Sequence, residues 1–340
     1  MQVDERLQEL KIWLESALSS NDFSCESASS DASFRRYFRV IHKTESFVVM
    51  DAPPSKEDCE PFIFIAELLC SYGVQAPTIY HQSVQKGFLM LSDFGSKSYL
   101  DALADDTADS LYKDAANALH SIQTIPANTE GLPLYTDALL KQEMSLFNEW
   151  FVGGLLGIDV DAADNKALEA VQSCLAASAT EQPQVFVHRD YHSRNLMLTE
   201  NSNPGVIDFQ DAVIGPMTYD LVSLYRDCYI SWPDPKVYAW LDEFLLARAD
   251  AGIKDNFTSQ QFYQWFDWMG VQRHMKAIGI FSRLLLRDGK PGYLEDIPRT
   301  LMYVVDVCAK YPALKPLDDL IKRHRIVARI DEVVADYSVL

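Results

Sequence analysis

Asp190, Asn195 and Asp208 lie close together along the chain, and all three carry oxygen atoms suited to charged phosphates. They belong to the segment Val185-Phe-Val-His188-Arg189-Asp190-Tyr191-His192-Ser193-Arg194-Asn195-Leu-Met-Leu198, followed by Gly205-Val-Ile-Asp208-Phe209-Gln210. Magnesium favours oxygen ligands and keeps several waters, so one carboxylate and one carboxamide suffice when substrate phosphates complete the shell. Asn195 and Asp208 meet that requirement. Asp190 then remains to orient, and finally deprotonate, an attacking hydroxyl. Taken singly, Asp and Asn in loops mostly make turn hydrogen bonds. Their ordered combination points to phosphoryl transfer. His188 is expected to brace this loop by donating to nearby backbone, and His192 either to brace it or to meet the substrate.

These residues need short strands to hold them. The apolar triplets 185–187 and 196–198 are expected to pair with each other across a tight loop, while Val206-Ile207 presents Asp208 at its end. Upstream, Leu7, Leu10, Ile12, Leu14 and Leu18 recur at helical spacing over 6–18. Three strands joined by turns are expected from the small polar stretch 24–33 through 34–42 and 47–50, the last stopped by Pro53-Pro54. Ser55 with Asp58 would cap a helix running to about residue 71. A hairpin follows at 78–84 and 87–91. Beyond Gly95 helical spacing dominates: 110–122, 138–151, 218–229, 237–249, 259–287 and two further helices near the C-terminus. The expected fold class is α+β, with a small strand-rich N-lobe over 1–94 and a larger, mostly helical C-lobe over 95–340.

Composition narrows the partners. The 340 residues carry 30 Lys plus Arg against 49 Asp plus Glu, a net charge of −19. Such a surface repels nucleic-acid phosphates and anionic membranes. The six cysteines are scattered without metal-ligand spacing, which suits free thiols in a reducing compartment. The first residues lack the basic start and apolar run of a signal peptide. The most apolar stretch, 62–70, carries Glu67 and is too short to span a bilayer. A cytoplasmic chain is expected, acting as a monomer on small molecules.

His188-Arg189-Asp190 with Asn195 five positions after the Asp, then Asp208-Phe209, resembles the kinase pattern H-R-D-x-x-x-x-N followed by D-F-G. The variant with His192, together with Asp208-Phe209-Gln210-Asp211, Gly215-Pro216 and Tyr219-Asp220-Leu221, resembles the aminoglycoside phosphotransferase and choline kinase family. That resemblance implies a protein-kinase-like two-lobed fold, ATP and Mg²⁺ as cofactors, and a small-molecule acceptor. Asp31-Ala-Ser-Phe-Arg-Arg-Tyr-Phe-Arg39, Val49-Met-Asp-Ala-Pro-Pro54, Gln272-Arg-His-Met-Lys276 and Arg287-Asp-Gly-Lys-Pro-Gly-Tyr293 are similar to bacterial anomeric kinases of cell-wall amino sugars. Those enzymes phosphorylate N-acetylmuramate and N-acetylglucosamine at the 1-position in peptidoglycan recycling. Two other readings stay open. One is a kinase of an aminoglycoside, choline or another small amine or alcohol; the other is a pseudokinase that only binds nucleotide or a partner.

Two kinase features are missing. Ser29-Ser30-Asp31-Ala32-Ser33-Phe34 stands where a Gly-rich loop would join the first strands, and Ser33 or backbone N–H groups would take its phosphate-binding role. Met50 stands at the strand-lysine position, and a thioether carries no charge. Arg35 and Arg36 point to opposite faces of a strand. One of them is expected to reach the nucleotide phosphates; the competing reading is that both are solvated. Backbone groups near Leu91 to Asp93 would bind adenine, as the resemblance implies. For the acceptor, whose lactyl carboxylate favours a cation, His192, Arg226, Arg273 and His274 are the candidates. Arg273, Lys276, Arg283 and Arg287 form one basic helical stripe, whose ordinary explanation is a solvated face.

Overall fold

The structure, a computed structural model, describes residues 4–30, 34–200 and 202–337. In chain order it begins with α1 (Glu5–Leu18), β1 (Ser24–Ser30), β2 (Arg36–His42), β3 (Glu45–Asp51), α2 (Glu60–Ser71), β4 (Ile79–Ser83), β5 (Phe88–Ser92) and α3 (Tyr99–Ala102). Next come α4 (Ala108–Gln123), α5 (Asp137–Leu146), a π-helical continuation over Phe147–Leu155, α6 (Ala162–Glu181) and β6 (Gln184–Val187). Two-residue strands β7 (Leu196–Met197) and β8 (Gly205–Val206) lead to β9 (Val213–Pro216) and α7 (Tyr219–Tyr225). Helices α8 (Asp234–Asp250), α9 (Ser259–Asp288), α10 (Asp296–Lys310), α11 (Lys315–Arg323) and α12 (Ile326–Tyr337) complete the chain.

Packing divides the chain into two compact units, Met1–Ala102 with Arg194–Asp211, and Leu103–Ser193 with Ala212–Leu340. The first is built on an antiparallel five-stranded sheet in the order β1-β2-β3-β5-β4. Alternate residues of three strands, Phe38 and Val40, Phe47 and Val49, Phe88 and Met90, form one apolar face that receives Leu10 and Leu14 of α1. That period of two is what one buried sheet face requires. Arg6 and Arg36 both pair with the fully buried Asp51, and Arg36 reaches Asp4 as well, so α1 is also tied by charge.

Residues 194–211 join this unit through a small hairpin in which β7 pairs with β8. Leu198 N–H donates to the Lys97 carbonyl at 2.8 Å, and Val206 N–H to that of Gln75 at 2.8 Å. A Cβ added at Gly205 would lie 2.6 Å from the Phe94 ring, so glycine permits this close docking.

The second unit is mainly helical and organised on α9, whose thirty residues are capped by Thr258 at one end and by Gly289, at φ +64, at the other. Helices α5, α6, α7 and α10 and the π-helical segment all pack on α9. Gly279 is essential to one of these contacts, because a Cβ there would stand 2.4 Å from the Leu146 backbone.

The small strand-rich part and the larger helical part agree with the expected fold class. Several local expectations need correction. β6 does not pair with the 196–198 segment. It pairs with β9, while β7 closes on β8, its near neighbour in sequence, which costs less loop-closure entropy. The helix expected to be capped by Ser55 and Asp58 starts at Glu60, with Pro61 in its first turn and Asp58 accepting the Glu60 N–H at 2.9 Å. Three helices, not two, follow α9. The six cysteines are free thiols, and among the described residues no helix is long and apolar enough to cross a membrane.

Candidate active site

In the first unit, the β7–β8 hairpin brings Asn195 and Asp208 together. Ile207 N–H donates to the Asn195 carbonyl at 3.1 Å, and the Asn195 amide donates to Asp208 Oδ2 at 3.1 Å. Gln210 Nε2 donates to Asp208 Oδ1 at 2.9 Å. Its own Oε1 is buried and has no hydrogen-bond partner. Asp208 sits at φ +65, a backbone region disfavoured for a residue with a Cβ and characteristic of strained functional positions. Among the described residues no group of three or more His, Cys, Asp or Glu gathers around a metal position. One carboxylate with amide oxygens is a set of hard ligands that could hold magnesium. Gln210, which follows Phe209 in the same motif, was not among the expected ligands.

The two neighbouring arginines serve different purposes. Arg36 is spent on Asp4 and Asp51. Arg35 precedes β2 and pairs at 3.1 Å with Glu57, which also accepts the Phe34 N–H at 3.2 Å. Burial pulls the Arg35 guanidinium down, but Tyr37, Glu57 and Asp211 raise it above its ordinary value. Arg35 thus lies within electrostatic reach of Asp211, three residues after Asp208. Phe209, between them, packs against Phe62 of α2 with the rings tilted and their centroids 4.9 Å apart. Ser33, the other phosphate candidate, lies outside the described residues.

At the end of β5, Asp93 is held by its side chain. Arg39 Nε donates to it at 2.6 Å, Ser46 Oγ at 2.5 Å and Gly95 N–H at 2.8 Å, while Arg39 also donates to the Gly95 carbonyl. Burial raises the Asp93 carboxyl, but these donors win and hold it low. The Asp93 side chain is thus occupied within the protein. Leu91 is buried within the sheet.

In the second unit, Asp190 stands on a loop fastened at several points. Asp220 of α7 accepts the N–H groups of His188 at 2.7 Å and Arg189 at 3.0 Å. Asp227 accepts Ser193 N–H at 3.0 Å and its hydroxyl at 2.5 Å, and Tyr191 donates to the Ala115 carbonyl at 2.8 Å. The expected brace by His188 exists with the opposite polarity: its Nδ1 accepts the Asp190 N–H at 3.3 Å through a ring-nitrogen lone pair. Arg189 adopts φ +77. Burial pushes the Asp190 carboxyl up, yet the combined pull of Lys276, His192, Arg273 and His188 holds it below its ordinary value. Asp220 is different, since burial pushes it up to about 7 despite its two backbone donors. The pull on Asp190 favours its ionised form.

The acceptor candidates separate into two pairs. His192 and Arg273 act on Asp190; His192 packs edge-on against Tyr229 with centroids 5.3 Å apart. Arg226 pairs with Asp234, and the Arg226 carbonyl accepts a ring N–H from His274 at 2.8 Å. Burial and the nearby Arg273 drive His274 down to about 3, so its ring is neutral. Both of these residues line a small cavity with Asp234, Asp267 and Tyr303. The basic stripe on α9 divides as well: Arg273 is buried, Lys276 nearly so, and Arg287 is exposed and paired with Asp288. Its first half is not a solvated face. Glu57 and Glu143 were not expected as supports, whereas Asp220 stands in the Tyr219-Asp220-Leu221 motif and Asp227 follows the candidate Arg226. Glu143 had left a signal, standing on the apolar side of its helix between Leu140 and Phe147.

The profile of the phosphotransferase enzyme family matches residues 24–255. An N-acetylmuramate/N-acetylglucosamine kinase of Pseudomonas putida is 46% identical over 96% of this chain and 98% of its own. Among solved structures, an ethanolamine kinase of Plasmodium vivax superposes with a TM-score of 0.62 at 14% identity, covering 93% of this chain and 91% of that one. The choline kinase LicA of Streptococcus pneumoniae gives 0.61 at 13% identity over 91% and 100%. At such identities the structural likeness is one of fold.

Proposed function

The chain belongs to the phosphotransferase enzyme family, and from that premise we propose that it transfers the γ-phosphoryl group of ATP to the anomeric hydroxyl of N-acetylmuramate and N-acetylglucosamine, as a cytoplasmic step of peptidoglycan recycling. The observation that carries this reading is the near full-length 46% identity to a kinase bearing those sugars in its name. It is supported by an Asp190 kept ionised on a firmly anchored loop. Six free thiols suit the reducing compartment.

Asp190 accepts the hydrogen of the sugar's 1-hydroxyl and aims its oxygen. The new bond joins that oxygen to the γ-phosphorus, the bond from phosphorus to the bridging oxygen breaks, and ADP leaves. Asp190 releases the proton to water. Asn195 and Asp208, with Gln210 Oε1 beside them, would hold magnesium. When bound, the ion neutralises charge on the β- and γ-phosphates. Arg35 takes the place of the absent strand lysine and Glu57 fixes its direction. The backbone around Leu91 to Asp93 receives adenine, and His192 and Arg273 line the acceptor. Most of the acceleration comes from positioning and charge stabilisation, because the transition state is loose.

Incubation with ATP, magnesium and each sugar, followed by ³¹P NMR, tests the proposal. A sugar 1-phosphate is expected from both acceptors and none from Asp190→Ala. Phosphorylation of choline or an aminoglycoside in preference to either sugar overturns it.

A further inference from the structure

Among the described residues three arginines are buried, all in the second unit. Arg226 pairs with Asp234 at 2.5 Å and Arg248 with Asp255 at 2.6 Å. Arg273, only 6% exposed, has no carboxylate within ion-pair distance. A guanidinium carries five N–H donors. In Arg273 one of them meets the Cys228 sulfur at 3.7 Å, a weak acceptor, and Nε is buried without a partner. A buried charge is costly unless it is paired and hydrogen-bonded, and an anionic partner would offset that cost.

Contacts tie this arginine to the neighbourhood of Asp190. Cys228 follows Asp227, whose carboxylate accepts the Ser193 N–H at 3.0 Å and its hydroxyl at 2.5 Å. His274 is bonded to the Arg226 carbonyl at 2.8 Å, and His192 packs edge-on against Tyr229. The segment 226–229 thus touches both this turn of α9 and the loop that carries Asp190. Nearby cations have carboxylate partners: Lys276 and Arg189 share Glu143, and Arg299 pairs with Asp296. Burial pulls the Arg273 guanidinium down, but Cys228, Tyr219, Asp190 and Asp227 raise it, so the side chain is a cation.

We propose that Arg273 is the residue that reads the acceptor's acid group: its remaining N–H donors take the lactyl carboxylate of N-acetylmuramate, a group that N-acetylglucosamine lacks. The inference rests on the proposed amino-sugar acceptor and on Asp190 as the residue that meets its 1-hydroxyl. A planar fork matches a carboxylate through two parallel hydrogen bonds, and such charged bonds are about twice as strong as neutral ones.

The test compares kcat/KM for N-acetylmuramate with that for its lactyl carboxamide, which is neutral and nearly the same shape. In the wild type the acid is expected to be preferred about 30-fold. In Arg273→Met that preference is expected to vanish, whatever loss the variant imposes on both acceptors alike. Should Arg273→Met fail to fold, Arg273→Lys takes its place and is expected to cut the preference to under about tenfold, because an ammonium lacks the fork. A wild type that uses the amide as well as the acid, or a variant that keeps the full preference, overturns the inference. So does a rise in the KM for ATP with the acid preference intact, which assigns the cation to nucleotide phosphate. A wild type that phosphorylates neither sugar defeats the functional reading; calorimetric binding of the acid and the amide then judges this one by the same ratio.

Discussion

The residues proposed to hold the metal, in the first unit, and the proposed base, in the second, are held in contrasting ways. Asn195, Asp208 and Gln210 sit on one short hairpin and bond to one another, so their arrangement is local. The Asp190 loop is tied by carboxylates from α7 and the segment after it, and cations from α9 act on the Asp190 carboxyl. A ligand cage for a hard ion needs oxygens at short range and tolerates exchange with water. An anionic base in a buried setting needs charge balance, which one loop cannot supply. Local geometry builds the first, and long-range packing the second.

The largest effect that this contrast predicts is at Asp190. Asp190→Asn should lower kcat by about 10³-fold, with the ATP dissociation constant nearly unchanged in calorimetry. A parallel loss of ATP affinity would erase the distinction between the two regions. Asp208→Asn should do the reverse, weakening magnesium-dependent ATP binding by about 30- to 100-fold, roughly 2–3 kcal/mol. Binding that stayed insensitive to magnesium in the wild type would remove Asp208 from this role.

The arginine pair sharpens the comparison within the first unit. Arg35→Met should raise the KM for ATP about tenfold, roughly 1.4 kcal/mol. Arg36→Met should leave that KM in place and lower the melting temperature, because Asp51 is fully buried and would keep Arg6 alone as its ionic partner. Equal effects of the two substitutions on KM would break the assignment.

The smallest effect concerns acid stability. His274 is driven from 6.5 down to about 3 in the folded chain. Below about pH 6.5 the unfolded state binds a proton that the folded state refuses, so stability falls as the pH drops towards 3. The slope is at most about 1.4 kcal/mol per pH unit. His274→Gln should flatten the decline of the melting temperature between about pH 6.5 and pH 4. Hydrogen exchange should show helices α7 and α9 opening before the sheet over that range. A decline unchanged in the variant would assign the acid sensitivity to other groups.

How much of this was readable from residue order follows the same division. The sheet strands, α1, the long α9 and the Asp190, Asn195 and Asp208 pattern were all legible, because alternation, helical spacing and motif spacing are local properties. The partner of β6 was not, since its triplet is apolar and suits any neighbouring strand; only the packed chain selects β9. Arg35 and Arg36 were equivalent on paper and became distinct when Asp51 and Glu57 arrived from elsewhere. Glu143 and Lys276, far apart in the chain, could not be known as an ion pair.

Residue order by itself determined the chemistry on offer: oxygen ligands at kinase spacing, an absent strand lysine and an acidic exterior. Tertiary structure alone decided which charges would be buried together and hence which would be balanced. The reason is that side-chain identity and spacing are written along one dimension. The electrostatic state of a carboxylate depends instead on dielectric and on distances in three, and those exist only once α5, α7 and α9 have packed.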